Sequence, residues 1–178
     1  RYAREIRAGK RIGPYIYGSG PIVDGVSAQH KPASHVYVDG PEEAAQAVRD
    51  TAQAGWLWAK AYPSMTREEM ESFLKEAARL HMKVSGHLSY TIDPKELADW
   101  GYACCEHSSS LPKTDADIDY IAEAGMWFCP TQIVCETLPD YVWNGKSLSD
   151  AVGYEFLPKS ARELWARENE RTAVSGLT

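Results

Sequence analysis

Hydrophobic and polar positions along this chain follow two alternating periods. Trp56–Tyr62, Lys83–His87, Tyr102–His107 and Met126–Cys129 are short apolar or β-favouring runs, of the length expected for buried strands. Between them apolar residues recur at helical spacing: Ala44, Ala47, Val48 and Thr51, then Met70, Phe73, Leu74 and Ala77, then Ile118, Ile121 and Ala122. Each stripe predicts the inward face of a helix. Pro41 with Glu42 and Glu43 opens the first of these helices, which runs to Gly55, because Pro suits the first helical position and acidic groups suit the positive end of the dipole. Thr66-x-x-Glu69 is a capping-box signature that opens the second. Asp93-Pro94 starts a shorter helix to Trp100, and the third striped helix begins near Thr114 and closes at Gly125.

Strands that alternate with helices imply an α/β fold with a parallel sheet. The ends of the chain are plainer. Residues 1–12 predict the end of a helix capped by Gly9, and Pro158 begins a last helix carrying Leu164 and Trp165. Tyr15–Tyr17 predicts one more short strand. The following G-S-G-P-I-V-D-G predicts a loop that extends to about Asp39, since Gly supplies positive φ and Pro removes a ladder donor. From 132 to 159 the pattern blurs, and Pro139, Gly145 and Gly153 predict an irregular insertion within a single domain spanning 1–178.

Three consecutive strand-like runs carry a chemically distinctive residue at or near their ends: Lys60, His87 and His107, at intervals of 27 and 20 residues. Such intervals suit one strand plus a returning helix. If these strands are neighbours, all three residues lie at the carboxyl ends, where α/β barrels place their chemistry. Two imidazoles on adjacent strands point to a metal site. The lysine does not fit as it stands, because an ammonium group has no lone pair to offer a cation.

Five stretches, in order and at these spacings, resemble the metal-dependent amidohydrolase superfamily, in its imidazolonepropionase-like and Xaa-Pro-dipeptidase-like branch. They are Y-G-S-G-P-I-V-D-G at 17–25, A-G-W-L-W-A-K-A-Y at 54–62, Gly86-His87, the C-E-H of Cys105–His107, and W-F-C-P-T at 127–131. The resemblance implies a partial (β/α)8 barrel, about strands three to seven of eight. It implies that Lys60 is carboxylated by carbon dioxide, so that its carbamate bridges two divalent ions, with zinc the expected metal. His87 and His107 would complete the ligands of one ion. The activity implied is hydrolysis of a C–N bond in an amide, cyclic amide or dipeptide by a metal-bridged hydroxide. The family's first-strand His pair and eighth-strand Asp, its general base, have no counterpart here, so no catalytic residue is assigned within the chain. At 178 residues, starting with Arg1, the chain is short of the roughly 250 typical of a complete barrel, and an internal piece of a larger protein is expected. The alternative expectation is an inactive partial barrel that binds metal weakly or pairs through open sheet edges, at Tyr15–Tyr17 and Met126–Cys129, with a partner or a second copy.

Around the three expected ligands the remaining polar residues divide into two groups. The resemblance makes His30, and with less weight His35, candidates to face a small-molecule substrate. Tyr90, three residues past His87, is a candidate to hydrogen-bond it, although the family more often places its tyrosine where Ser89 stands here. Asp24 and His81 read as structural, Glu106 as a helix-facing ion-pair partner, and Ser108–Ser110 as a polar rim without a partner that would make a nucleophile. The four cysteines, Cys104, Cys105, Cys129 and Cys135, read as ordinary buried thiols. A net charge of −6 and pI near 5.4 argue against a nucleic-acid footprint. No apolar run reaches the ~20 residues of a membrane helix.

Overall fold

Six parallel strands form one sheet in a computed structural model of the chain, in the order β2-β1-β3-β4-β5-β6. The strands are β1 (Ser19–Gly25), β2 (Val36–Val38), β3 (Trp58–Ala61), β4 (Lys83–Gly86), β5 (Cys104–Glu106) and β6 (Trp127–Cys129). Among the described residues the helices are α1 (Tyr2–Arg7), α2 (Pro41–Gln53), α3 (Arg67–Arg79), α4 (Pro94–Asp99), α5 (Asp115–Glu123) and α6 (Lys159–Val174). The structure describes residues 2–107, 111–132, 144 and 146–174. They divide into two compact units, residues 1–130 and 131–178.

The helices form where the sequence provides start signals. In α3 the Thr66 side chain accepts from the Glu69 N–H while the Glu69 side chain accepts from the Thr66 N–H, a complete capping box. In α2 and α3 the expected stripes are buried: Ala44, Ala47, Val48 and Thr51 on one, Met70, Phe73, Leu74 and Ala77 on the other. They pack with Val23, Ala59, Ala61, Val84 and Cys105 of the sheet in one apolar core. α5 is less committed: Ile121 is buried, whereas Ile118 and Ala122 are exposed. His81, in the left-handed region just past α3 with its N–H on the Ala78 carbonyl, is part of a helix terminus.

The α/β class holds, but the N-terminal third differs from expectation. Tyr15–Tyr17 is not a strand. The Gly/Pro-rich run that predicted a loop is instead β1, inside the sheet, and Val36–Val38 adds an unforeseen edge strand. Pro21 is tolerated because the β1–β3 register shifts between Ser19 and Ile22, and pairing with β2 begins only at Val23. A bulge is where a sheet can accept a residue with no N–H. The sheet edges are therefore β2 and β6.

In the unit 131–178, 3-10 turns occupy Leu148–Asp150 and Tyr154–Phe156, and α6 begins one residue after Pro158. Residues 133–143 and 145 of the expected insertion lie outside the described residues, as do Ser108–Ser110 and Cys135. Among the described residues no helix is long and apolar enough to cross a membrane.

Candidate metal centre

Side chains alternate across a strand, so the register assigns each candidate to a face. Lys60 pairs with Ser85 and Ala61 with Gly86, and one strand further Ser85 pairs with Cys104 and Gly86 with Cys105. Ala61 and Cys105 belong to the helix-side core. Lys60, Ser85 and Cys104 therefore share the opposite face, with Tyr62, His87 and Glu106 in the next layer up. Glu106 is thus not helix-facing as the sequence suggested. It lies on the face of Lys60 and His87 and makes no hydrogen bond or ion pair with a described residue.

His87 is the first residue past β4. Its backbone N–H donates to the Ala61 carbonyl at 3.2 Å, and its carbonyl accepts from the Tyr102 hydroxyl at 2.8 Å. The Tyr62 ring packs edge-on against its imidazole with centroids 4.4 Å apart, and His35 packs edge-on against Tyr62 at 5.2 Å. His107 is the first residue past β5, in the left-handed region at φ 71°, with its N–H on the Cys129 carbonyl at 2.8 Å. The two imidazole centroids are 4.6 Å apart. Lys60 lies two residues below the level of His87, about 7 Å along the strand, a gap its four-carbon stem can span.

Burial, the neighbouring His107 and the Lys60 charge push the His87 imidazole down to about 4. Its neutral form therefore dominates near neutrality and presents a lone pair. Its Nδ1 is buried and has no hydrogen-bond partner. A neutral, orphaned imidazole facing a second imidazole suits a cation that accepts nitrogen ligands. Among the described residues no group of three or more His, Cys, Asp and Glu side chains could hold a metal. The pair thus fits an ion as two ligands of an incomplete set, and the ammonium of Lys60 fits only after conversion to an anion.

A cavity of about 860 Å³ opens beside His87 and is lined in part by His30, Tyr62, Tyr90 and Asp24. His30 and Tyr90, both proposed to meet substrate, are thereby brought to one space with His87; His35 is not among its lining residues. Asp24 is buried, and its Oδ1 accepts from the Ser64 N–H at 2.9 Å and the Gly25 N–H at 3.0 Å. It ties two loops together, the structural role expected of it. Tyr62 and Tyr102 were not singled out from the sequence. The spacing of Tyr62, two residues past Lys60 and hence on the same face, was a usable signal; nothing local marked the Tyr102 hydroxyl.

No family model and no curated protein matches the chain. Solved structures do. A bottromycin amidohydrolase superposes with a TM-score of 0.70 at 21% identity, over 97% of this chain and 41% of that one. An Aspergillus niger ochratoxinase matches with a TM-score of 0.64 at 21% identity, covering 97% and 44%. A Xaa-Pro dipeptidase with bound methionine matches with a TM-score of 0.66 at 19% identity, covering 98% and 47%. The chain has the fold of one part of these proteins. It spans less than half of their length. At such identities the likeness establishes the fold.

Proposed function

We propose that this chain contributes to a metal-dependent hydrolase of C–N bonds, with His87 and His107 as ligands of one divalent ion, zinc by preference. The observation that carries the reading is the pair itself: two imidazoles 4.6 Å apart at the ends of adjacent parallel strands, one with a buried Nδ1 lacking any partner. A divalent ion held there supplies Lewis acidity and a nucleophile at neutral pH. Tyr102 and Tyr62 orient His87, the Ala61 carbonyl anchors its backbone, and Lys60, as the carbamate formed with carbon dioxide, would add anionic oxygens on the same face. His30 and Tyr90 border the space a small substrate would occupy. The proton-transferring carboxylate of this chemistry has no assigned residue in the chain, so full activity is proposed only for an assembly that supplies one.

Elemental analysis of metal per chain, for the wild type and for His87→Ala/His107→Ala, tests the reading. The expected result is bound divalent metal that is lost in the double variant. Equal metal content in both, or none in the wild type, overturns it.

A second reading is favoured by the sheet edges. β6 ends the sheet with Trp127 75% and Phe128 43% exposed, and an open strand edge is a template for pairing. On this reading the chain is a non-catalytic partial barrel that assembles through β6 or β2. A monomer in sedimentation at high concentration removes it.

A further inference from the structure

Four rings form a row across the face of the sheet that carries Lys60 and His87, and the edge strand β2 delivers the first of them. β2 pairs with β1 as Val36 with Val23 and Tyr37 with Asp24, and β1 pairs with β3 as Val23 with Ala61. Ala61 is on the helix side, so alternation puts His35 and Tyr37 on the face of Lys60 and Tyr62. From there the rings follow one another. His35 meets Tyr62 at 5.2 Å and 78°, Tyr62 meets His87 at 4.4 Å and 67°, and His87 meets His107 at 4.6 Å.

His35 is held independently of the imidazole pair. The Pro32 carbonyl accepts from its N–H at 3.1 Å and from the Tyr37 hydroxyl at 3.0 Å, and the Tyr37 ring lies 6.0 Å from its own. The Tyr62 N–H donates to the Val23 carbonyl at 2.9 Å, which fixes the backbone of Tyr62 and leaves its ring to be set by its neighbours. The Nδ1 of His35 is buried without a hydrogen-bond partner among the described residues, so His35 meets Tyr62 by ring packing rather than through that nitrogen. Edge-on contacts between rings favour one relative orientation. A ring caught edge-on between two imidazoles transmits the placement of one to the other.

We propose that His35 is a positioning residue: it sets the orientation of the Tyr62 ring, and Tyr62 in turn holds the His87 imidazole facing His107. The role differs from the contact with substrate expected of His35, and it agrees with the place of His35 outside the lining of the cavity. Its consequence for a bound ion rests on the metal-dependent reading above, whereas the coupling of the rings does not.

The test has two readouts on the full chain. In the zinc-free protein the His87 Cε1–H resonance reports the Tyr62 ring beside it, and it should move in His35→Ala while that of His81, just past α3, stays in place. Zinc affinity is then measured by competition with a chromophoric chelator. His35→Ala should weaken zinc about fivefold, the scale of one edge-on ring contact, and His35→Phe, which keeps a ring, should stay within about twofold of the wild type. His35→Ala should add nothing once Tyr62 is alanine, because a residue acting through another is silent in its absence. Ala78→Gly, which weakens α3 by helix propensity alone, should bind zinc as the wild type does. An unmoved His87 resonance, a His35→Phe chain as weak as His35→Ala, or additive losses in the double variant overturns the proposal. A chain that binds no zinc yet shows the resonance shift defeats the metal-dependent reading alone; a zinc-binding chain whose His87 resonance ignores His35 defeats the positioning role alone.

Discussion

The Ala61 carbonyl oxygen occupies the space in which a side chain on Gly86 would begin. A Cβ built on Gly86 lies 1.9 Å from that oxygen and 3.0 Å from the Tyr102 hydroxyl, and Gly86 holds φ at 146°. The same oxygen accepts from the His87 N–H. Glycine here lets β3 and β4 approach closely and directs His87 over the second face of the sheet. Gly86→Ala should cost roughly 3 kcal/mol or more, because steric overlap adds to backbone strain. Urea denaturation measures it, and loss below about 1 kcal/mol would show that the strand ends relax freely.

Glu69 serves two elements. Its Oε2 accepts from the Thr66 N–H at 2.7 Å, its Oε1 from the Gly40 N–H at 2.8 Å, and the residue is 3% exposed. One carboxylate thus completes the cap of α3 and fastens the residue before α2. Losing the Thr66 hydroxyl should cost about 1 kcal/mol, as for other caps. Glu69→Ala leaves two part-buried N–H donors without their acceptor and should cost roughly 1–3 kcal/mol. If the two variants unfold at the same denaturant midpoint, the bridge to Gly40 contributes nothing.

The part of the fold that could be read from sequence is the part governed by local rules. The α3 capping box, the buried stripes of α2 and α3, and the strands that end near Lys60, His87 and His107 all follow from short-range periodicity. β1 escaped because Gly18, Gly20 and Pro21 signal a loop, while the bulge that admits Pro21 exists only once β3 has paired with it. β2 (Val36–Val38) escaped because it lies inside the run to Asp39 that the same Gly and Pro signals marked as loop. Glu106 was assigned to the wrong face because alternation was counted from His107, whose left-handed backbone breaks the alternation. Counted from Cys105, which is core, Glu106 falls on the site face. The pairing of imidazoles rests on strand order, and that order is sequential from β3 to β6, the simplest case.

Asp24 should tolerate asparagine and not alanine. The Ser64 and Gly25 N–H groups both donate to Oδ1, and an asparagine oxygen can accept from both. Asp24→Ala leaves them without an acceptor in a buried place, for a cost of roughly 2–3 kcal/mol, while Asp24→Asn should lose about 1 kcal/mol or less. Thermal unfolding of the two variants checks the order. Equal destabilisation would mean that the negative charge, rather than the acceptor geometry, holds the loops together.

Adjacent cysteines should react at very different rates. Cys105 is fully buried in the core, and burial, aided by Cys104 and Glu106, pushes its thiol up to about 12. Cys104 is half-buried and also raised, by burial first and then by Glu106 and Cys129. Cys129 is exposed. Only the thiolate alkylates, so iodoacetamide at pH 8 should label Cys129 first, Cys104 slowly and Cys105 only after denaturation, as read by peptide mapping. The same shift fixes a sign for stability. The folded state holds the Cys105 proton more tightly than the unfolded chain, whose thiol ionises near 9. Stability from this group is therefore complete below pH 9 and declines as pH rises toward 12. Cys105→Ala should flatten that alkaline decline at the cost of a small core cavity. A decline of undiminished slope in the variant would assign it to other groups, such as the buried Tyr102, whose phenol is also held well above its usual range by burial.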